Sequence, residues 1–477
     1  MNARFVSAAV TACVLTGLML SGCSAGSQSS PSSSSSSNTS SPSSSGTVNL
    51  VVQDTPPSGI TVLSFQVQIA SATLQPGSVS LIRNPVTVDL EQLVTDSSFL
   101  ASQVVDSGTY TSLTMTYANP QITLMNSSGA PLVTPAGTCA ASAVCTFSPK
   151  INNASVTISS GVFPITITAN SSTGLNLDLS ISDLLQSDLS LTFANGQSVN
   201  LSVLSALASL TDTQSQIDAV LATVQSISGQ QVTIQTAFGN TLTIGLNSST
   251  TYSYPSSVCS AGSASCLSSG QLVDFNLSLL GDGSLVAQSV TFADAAGGAA
   301  ARGTVLAAGT DSFQVVLHSV IPGSTGAAVG SMVTIDPANG ALFAVPFSGY
   351  PAVPGGNFAG SGDLIAGQEV LLQLASSSSP DTLASSRIYL EPSQTVGTVQ
   401  SISTNSFALN GLTGLWTATR PAVNQIDCQV GTGTTYENLS TSSLGSLAPG
   451  SPVAVKGLLF NAAGSPSLST VIVRGRS

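Results

Sequence analysis

The single histidine of this 477-residue chain decides which catalytic chemistry the sequence could support. His318 lies within Val315-Val316-Leu317-His318, a stretch with the composition of a β-strand. A Ser-His-Asp triad would have to use this histidine, and no Gly-x-Ser-x-Gly motif supplies the nucleophile. Zinc and iron sites need several ligands, which are missing around it. We therefore predict that His318 is a surface or edge residue of a strand and that the chain has no catalytic residues.

The densest group of carboxylates is formed by Asp178, Asp183 and Asp188, at a spacing of five residues. Paired carboxylates could serve a glycosidase, but an odd spacing on a strand places successive side chains on opposite faces. Asp282-Gly283 and residues 336–340 each bring one carboxylate, which is fewer than a calcium loop needs. We predict solvated or capping roles for these residues and no metal site. Because no Walker-type phosphate loop is present either, we predict no cofactor.

Four of the seven cysteines form two close pairs, Cys139 with Cys145 and Cys259 with Cys266. In an exported protein such pairs are typical of disulfides that close loops. A bridge over so short a loop stabilises a fold by about 2 kcal/mol on the chain-entropy model. The alternative, a metal site, would need four ligands, and no histidine or further cysteine lies nearby in the sequence. Cys428 is left over, either as a buried inert residue or as a free thiol.

Aromatic residues make up only 5% of the chain, and one concentration of them stands out. It lies among prolines and glycines and comprises Phe343, Phe347, Tyr350 and Phe358. A long loop with exposed rings would offer a contact surface, and it could bind a carbohydrate. The interpretation that we favour is that these rings fold back over a hydrophobic core. Trp416, the only tryptophan, is expected in a core as well.

The beginning of the chain has the pattern of an export signal. A charged residue precedes an apolar run over residues 5–19, which is shorter than the about 20 residues of a membrane-spanning helix. The sequence Leu20-Ser21-Gly22-Cys23 that follows resembles the lipobox of bacterial lipoproteins. The resemblance implies that residues 1–22 are removed as a signal peptide and that Cys23 is lipidated. We expect an extracytoplasmic, lipid-anchored protein, and Ser24 resembles the type bound to the outer membrane.

Composition limits the classes of partner. Only 6% of the residues are charged and 42% are hydrophobic, which excludes a strongly charged disordered chain. The formal net charge is −12, and the lysines and arginines do not cluster, since the nearest pair is Arg474 and Arg476. Nucleic-acid binding needs a basic stripe that neutralises phosphates. We therefore predict that nucleic acid is not a partner.

Shifts in composition divide the first half of the chain. Residues 23–46 are rich in serine, which makes up 15 of the 24 residues, so they cannot bury a core, and we predict a flexible tether. Residues 47–201 show short alternating strands separated by turn signals, which predicts an antiparallel β-sandwich. Within this domain, residues 91–101 have the spacing of a short helix. Residues 202–218 have partly helical spacing and are interpreted as a connector, with a last strand followed by a loop as the alternative.

Several motifs of this first domain occur in the order found in a bacterial family. They span residues 46–204 and resemble the domain of unknown function 4382, which is found in exported lipoproteins. That family has no established activity, so the resemblance implies a location but no chemistry. The motifs are Val51-Val52-Gln53-Asp54-Thr55-Pro56, residues 79–90, Ser107-Gly108-Thr109-Tyr110-Thr111-Ser112-Leu113 and Leu177-Asp178-Leu179.

The second half of the chain contains a repeat of whole domains. Thr223-Val224-Gln225-Ser226-Ile227-Ser228 recurs as Thr398-Val399-Gln400-Ser401-Ile402-Ser403, and Gly303-Thr304-Val305 opens a third copy between them. The unit resembles the small β-module called domain of unknown function 5666. We predict closed barrels of five or six short strands, with an OB-like fold as one form. The three predicted barrels cover residues 219–294, 301–391 and 395–477.

These observations predict an all-β protein with an N-terminal antiparallel β-sandwich and three tandem small β-barrels. We expect no enzymatic activity and a role in binding or scaffolding at the bacterial cell envelope. The partners would be the membrane, through the lipid on Cys23, and an envelope protein or polysaccharide. The alternative function is a carbohydrate- or polysaccharide-binding lipoprotein that uses the aromatic loop. A carboxylate hydrolase would instead need two acidic side chains that face each other across a groove.

Overall fold

The computed structural model describes residues 45–55, 61–93, 98–126, 130–204, 211, 213–375, 381–412, 416, 423–462 and 464–476. Nearly all regular structure in these ranges is β-strand, so the prediction of an all-β fold with several sheet modules is confirmed. In these ranges no helix is long and apolar enough to cross a membrane. The predicted signal peptide, Cys23 and the serine-rich tether up to residue 44 lie outside the described residues.

The N-terminal domain is built from sixteen short or medium strands, a 3-10 helix at Leu90–Leu93 and one α-helical turn, α1, at Ile181–Leu184. The strands are Ser45–Thr55 (β1), Thr61–Gln75 (β2), Val79–Ser80 (β3), Val86–Asp89 (β4), Ser98–Asp106 (β5), Gly108–Tyr110 (β6), Ser112–Met125 (β7), Leu132–Thr134 (β8), Gly137–Cys139 (β9), Val144–Phe147 (β10), Ile151–Asn153 (β11), Ser155–Ile158 (β12), Ile165–Ile167 (β13), Ser172–Ser180 (β14), Leu191–Thr192 (β15) and Val199–Val203 (β16).

Two sheets of this domain enclose its core. One has the strand order β16-β14-β1-β5, and the other is centred on β2 and β7, which pair over most of their length. Val48, Leu50 and Val52 alternate along β1, and all three join the core between the sheets. Tyr117 on β7 stacks on Phe193 with the ring centroids 3.9 Å apart. The alternation that predicted the sandwich therefore reflects residues that face one shared core.

The first sheet is mixed, because β1 pairs in parallel with β14 and antiparallel with β5. A parallel pair needs a long crossover connection, and the strands of the second sheet lie between β1 and β14 in the sequence. The predicted antiparallel pairing therefore does not extend to this pair.

Strand β1 is buried on both of its faces. Val51 points away from the sandwich core and joins the core of the barrel that follows. Beside it, Asn49 Nδ2 donates to Gln214 Oε1 at 2.8 Å and to the carbonyl oxygen of Gly281 at 3.2 Å. The sandwich and the first barrel are therefore packed together through this strand.

The two segments with helical spacing are strands over most of their described length. The helix predicted for residues 91–101 is wrong, since the 3-10 helix ends at Leu93 and β5 begins at Ser98. The predicted connector at residues 202–218 ends inside a strand, which runs over Thr213–Ser228. Residues 94–97, 205–210 and 212 lie outside the described residues. A bulge between Ile217 and Val220 interrupts the alternation of this strand and imitates helical spacing.

The described residues from 213 onward form three barrels, and 3-10 helices at Ala264–Cys266, Ser361–Asp363 and Leu444–Ser446 precede the strands that begin at Leu272, Glu369 and Pro452. The strands are Thr213–Ser228 (β17), Gln231–Thr236 (β18), Thr241–Gly245 (β19), Thr251–Ser253 (β20), Leu272–Leu280 (β21), Leu285–Asp294 (β22), Ala299–Ala308 (β23), Phe313–Ile321 (β24), Met332–Ala344 (β25), Glu369–Leu374 (β26), Thr382–Ile402 (β27), Ser406–Asn410 (β28), Gln425–Gln429 (β29), Thr435–Glu437 (β30), Pro452–Ala462 (β31) and Ser465–Gly475 (β32).

The three barrels share one connectivity. In the first, β17 pairs antiparallel with β18 and β21, β18 pairs with β19, and β21 pairs with β22. A parallel pair between β19 and β22 closes the barrel. The same pattern recurs in β23 to β27 and in β27 to β32. This five-stranded closed arrangement is OB-like, as the sequence repeat suggested.

The second and third barrels share a strand. The first half of β27 is the last strand of the second barrel, and its second half is the first strand of the third. The strand runs without interruption through residues 391–395, where the sequence analysis placed a boundary. The two barrels consequently form one continuous ten-stranded sheet.

One glycine position recurs shortly before β21, β26 and β31. Gly270, Gly367 and Gly450 have φ of +81°, +91° and +92°, which side-chain-bearing residues rarely adopt. Gly367 has a second constraint, because a Cβ added to it would lie 2.0 Å from the ring of Trp416. Gly450 has open space instead, with no atom within 4 Å of such a Cβ. Substitution of Gly450 therefore tests backbone strain alone, whereas substitution of Gly367 tests backbone strain together with a steric clash.

We expect Gly450→Ala to lower the free energy of unfolding by about 1–2 kcal/mol, from backbone strain alone. Gly367→Ala should lower it by about twice as much or more, because the Trp416 ring must also move. Urea unfolding followed by the fluorescence of Trp416, the sole tryptophan, measures both effects. Equal losses in the two variants would contradict the packing of Trp416 on Gly367.

Candidate functional site: a charged cleft at the module junction

Eight ionisable side chains are buried or nearly buried where the sandwich and the three barrels meet. This is unusual in a chain in which only 6% of the residues are charged. We refer to the group as the junction network. It consists of Asp89 on β4, Asp218 on β17, Asp274 on β21, Arg302 on β23, His318 on β24, Glu369 on β26, Glu391 on β27 and Lys456 on β31.

Arg302 joins the first two barrels. Its Nε lies 3.4 Å from Asp274 Oδ2, and its Nη2 lies 3.7 Å from Glu391 Oε2. Its Nη1 donates to the carbonyl oxygen of Ala219 at 3.3 Å. Because the guanidinium contacts both barrels, it fixes their relative position at this point.

His318 joins the second barrel to the sandwich. A bulge in β24 leaves it without a cross-strand partner on β23, because Ser319 pairs with Arg302 and Leu317 pairs with Gly303. The ring Nδ1 lies 3.5 Å from Asp89 Oδ2 of the sandwich. The side chain is only 3% exposed. The prediction of a surface or edge histidine is therefore wrong.

The other ring nitrogen of His318 faces its own barrel. Nε2 lies 2.6 Å from Thr304 Oγ1 and 3.8 Å from Glu369 Oε1. Thr304 in turn donates a short hydrogen bond to Glu369. On the sandwich side, Asp89 accepts hydrogen bonds from Ser64 Oγ at 2.6 Å and from the backbone N–H of Phe65 at 2.8 Å. The imidazole is thus held between two anchored carboxylates.

A second bulge positions Asp218. It lies in β17 next to Ala219, whose φ of +66° is unusual for a residue with a side chain. The backbone N–H of Ala219 donates to Asn276 Oδ1 at 3.0 Å, which stabilises this conformation. Asp218 forms an ion pair with Lys456 of the third barrel. This pair brings the third barrel into the junction network.

Burial and neighbouring charges set the protonation of the network. Burial raises the pKa of Asp274 to about 6, although the Arg302 guanidinium opposes the shift. Burial also raises the pKa of Glu391, and the nearby Asp274 adds to this. Burial lowers the pKa of His318, but the carboxylates of Glu369 and Asp89 outweigh it, so the net shift is upward. Protonation thus reduces the excess of negative charge at the junction.

A cleft of about 670 Å³ opens onto this network. Its walls come from β4 and β5 of the sandwich and from β17 and the β18–β19 turn of the first barrel. Four ionisable members of the junction network line it, namely Asp89, Asp218, Arg302 and His318. Apolar side chains, among them Phe238, line it as well. Its volume is typical of small-molecule sites.

Ser319 is the feature of this cleft that most needs an explanation. Its side chain lines the cleft and the residue is 7% exposed. Its hydroxyl has no hydrogen-bond partner among the described residues. A buried hydroxyl without a partner is costly, and native structures contain few. A ligand at this end of the cleft could supply the missing partner if the side chain turns toward it.

The arrangement does not favour acid–base catalysis. Asp89, His318 and Thr304 form a row of carboxylate, imidazole and hydroxyl, as in a catalytic triad. The Thr304 hydroxyl, however, donates its hydrogen bond to Glu369, and Thr304 does not line the cleft. The carboxylates of Glu369 and Asp89 also raise the pKa of His318, which favours the protonated imidazole, and a protonated imidazole is not a general base. In the described part of the chain, no group of three or more His, Cys, Asp or Glu side chains is arranged to hold a metal ion.

The other predicted site residues lie apart from this cleft. Asp183 accepts a hydrogen bond from Ser180 Oγ at 2.7 Å, and Asp188 accepts one from Ser190 Oγ at 2.6 Å. Asp178 lies on β14 and is half-buried. Each of these carboxylates is placed by its own strand or turn, and they do not form a site.

Both predicted disulfides are present, between Cys139 and Cys145 and between Cys259 and Cys266. Cys428 is buried and is not in a disulfide. Burial raises the pKa of the Cys428 thiol, which keeps it protonated and unreactive.

The aromatic residues of the second barrel pack against its core. Phe358 is buried, while Phe343, Phe347 and Tyr350 are half-buried and contact that core. Phe343 meets Phe358 edge to face at 5.6 Å between ring centroids. Trp416 is buried in the core of the third barrel. These rings lie where our favoured interpretation placed them, and the exposed platform that the alternative function requires is not formed by them.

The sequence contains a signal for the junction network. In a weakly charged chain, Arg302, Glu369 and Lys456 each interrupt an otherwise apolar strand of a repeated barrel. These positions alternate with the core residues of their strands, so the charges lie on the outer faces of the barrels, and a charge that is buried there must be paired. The pairing itself could not be read from the sequence, because the partners lie in different modules.

Comparisons with known proteins give only a distant likeness. No family model matches the chain, and no curated protein matches it. Among solved structures, Drosophila Unr CSD456 is 10% identical, with 54% of this chain and 97% of that chain covered and a TM-score of 0.13. A multidomain protein with nucleic acid binding domains from Streptococcus pneumoniae TIGR4 is 9% identical, with 53% and 72% covered and a TM-score of 0.11.

The exclusion of a nucleic-acid partner is corrected by this comparison. One of the similar solved structures is described by its nucleic acid binding domains. The absence of a basic stripe therefore does not exclude nucleic acid as a partner of an OB-like protein. The prediction that nucleic acid is not a partner was wrong. At these TM-scores the likeness assigns no ligand to the chain.

The raised pKa of His318 predicts a pH dependence of stability. The folded state binds the imidazole proton more tightly than the unfolded state, so its contribution is complete below about pH 6.5 and is lost as the pH rises through the folded pKa. The difference in the free energy of unfolding between wild type and His318→Gln should therefore shrink above about pH 7. The titration of Asp274, whose pKa is about 6, is then already complete and does not contribute. Urea unfolding across this pH range measures it. Thr157→Gln, at an exposed site on β12, should follow wild type, and a constant difference for His318→Gln would contradict the raised pKa.

Proposed function

We propose that the protein is an exported, lipid-anchored, non-catalytic binding protein of the bacterial cell envelope. Support for export and anchoring comes from Leu20-Ser21-Gly22-Cys23, from the serine-rich segment after it and from the resemblance of the modules to lipoprotein domains. The two disulfides add to this, because such bonds persist in oxidising compartments outside the cytoplasm.

The cleft at the module junction is the proposed ligand site. The observation that carries this proposal is the buried hydroxyl of Ser319, a residue of the cleft lining, which has no hydrogen-bond partner among the described residues. A mostly apolar cleft with a few converging polar groups is the usual form of a binding site. Because three modules supply its walls, a ligand would contact all of them.

Binding rather than catalysis follows from the state of the polar groups. Neighbouring carboxylates raise the pKa of His318 and so favour its protonated form, and the Thr304 hydroxyl beside it donates to Glu369. Asp89 and Asp218 both line the cleft, but each is paired with a cation, so neither is available as a base or nucleophile. The polar groups can therefore orient a ligand without transforming it.

The first prediction from this proposal concerns the anchor. In a bacterial host, the chain should incorporate radiolabelled palmitate and fractionate with membranes, and Cys23→Ala should abolish both. Cys428→Ala, which removes a buried cysteine elsewhere, should leave labelling unchanged. Palmitate incorporation that persists in Cys23→Ala would contradict lipidation at this position.

The second prediction concerns the cleft. A protein-free extract of host envelopes should raise the melting temperature of the full chain, because a ligand that binds only the folded state stabilises it by mass action. Thr241→Trp places a bulky ring in the cleft and should abolish this shift. Thr243→Trp, also exposed on β19 but outside the cleft, should keep it. The same shift in both variants, or none in wild type, would contradict a ligand site in the cleft.

A further inference from the structure

We propose that the cleft binds a neutral saccharide, with Ser319 as a hydrogen-bonding group and Phe238 as an apolar wall. This inference rests on the proposed function and specifies the chemical class of its ligand. The site is separate from the aromatic residues of the second barrel, which pack against a core.

The charges that line the cleft favour a neutral ligand. The buried ones are already paired, His318 with Asp89, Asp218 with Lys456, and Arg302 with two carboxylates of the barrels. The remaining charged residue of the lining, Arg83, is exposed and donates from Nε to Gln103 Oε1 at 3.1 Å. A charged ligand would have to displace a partner or add an unbalanced charge at a buried position, and both are costly. A neutral ligand leaves these pairs intact.

The polar groups of the cleft favour a ligand that carries hydroxyls. Ser319 can donate one hydrogen bond and accept others, and its hydroxyl has no partner among the described residues. Asn240, Thr236 and Gln92 add further neutral polar side chains to the lining. A sugar hydroxyl is both donor and acceptor, so it can satisfy any of these groups without a change of protonation.

The apolar part of the lining fits one face of a sugar ring. Phe238 lies in the β18–β19 turn and is half-buried, and it is absent from the hydrophobic cores of the described residues. Its ring lies outside these cores and lines the cleft, as does Leu242. The C–H face of a pyranose buries apolar surface against such a ring. The face of the second and third strands of OB-folds binds oligosaccharides in some proteins and oligonucleotides in others.

Calorimetric titration of the full chain in detergent tests the ligand class. Maltotriose, cellotriose and chitotriose serve as neutral probes, and trimers of galacturonic acid and glucosamine serve as charged counterparts. At least one neutral trimer should bind about tenfold tighter than either charged trimer. A charged trimer that binds more tightly would overturn the proposal. So would octathymidylate binding that is lost in Thr241→Trp while no neutral trimer binds.

Two substitutions test the assigned residues. Ser319→Ala should weaken binding of the neutral trimer about tenfold, and without ligand the variant should be at least as stable as wild type, because it removes an unpartnered buried hydroxyl. Phe238→Ala should weaken binding by a similar factor. Phe347→Ala removes a half-buried ring outside the cleft and should bind like wild type. Unchanged affinity in Ser319→Ala and Phe238→Ala, or loss in Phe347→Ala alone, would overturn the assignment.

Failure of this inference can be distinguished from failure of the proposed function. If the envelope extract stabilises Thr243→Trp but not Thr241→Trp, while no neutral trimer binds, the cleft binds a ligand and the saccharide class is wrong. If the extract stabilises neither wild type nor Thr243→Trp and no trimer binds, both the ligand site and its class are wrong.

Discussion

The pairing of buried charges at the junction is the constraint on which the arrangement of the modules depends. Arg302, His318 and Lys456 each contact a carboxylate of another module. A buried ion pair adds little net stability compared with apolar packing, but removal of one partner costs about 3–5 kcal/mol. Any other arrangement of the modules would leave such charges unpaired. The network therefore acts mainly by disfavouring alternative arrangements of the sandwich and the barrels.

Local periodicity was enough to predict the fold class and the repeat, because both depend on alternating residues within single strands. It failed where the pairing of distant strands decided the conformation. Residues 98–101 are in β5 because that strand pairs with β1, about fifty residues earlier in the chain. The bulge beside Ala219 likewise depends on a contact with Asn276 of another strand. Nothing in the neighbouring sequence specifies either interaction.

The site was harder to predict than the fold for a related reason. His318 was interpreted from its own strand, where nothing indicates a partner. The groups that define its environment, Asp89 and Glu369, come from the sandwich and from another strand of the second barrel. A cleft between modules has no sequence motif, since each module supplies only part of its lining. What could be predicted locally were the two disulfides, whose partners are close in the sequence.

The strand shared by the second and third barrels has a mechanical consequence. Thr382–Ile402 carries backbone hydrogen bonds of both barrels along one continuous segment. A hinge between these two barrels would have to break the row of backbone hydrogen bonds along this strand. The two barrels therefore cannot bend relative to each other as domains joined by a flexible linker do. Tension applied to either barrel would load the same row of hydrogen bonds, and the two barrels would respond to it as a single stiff element.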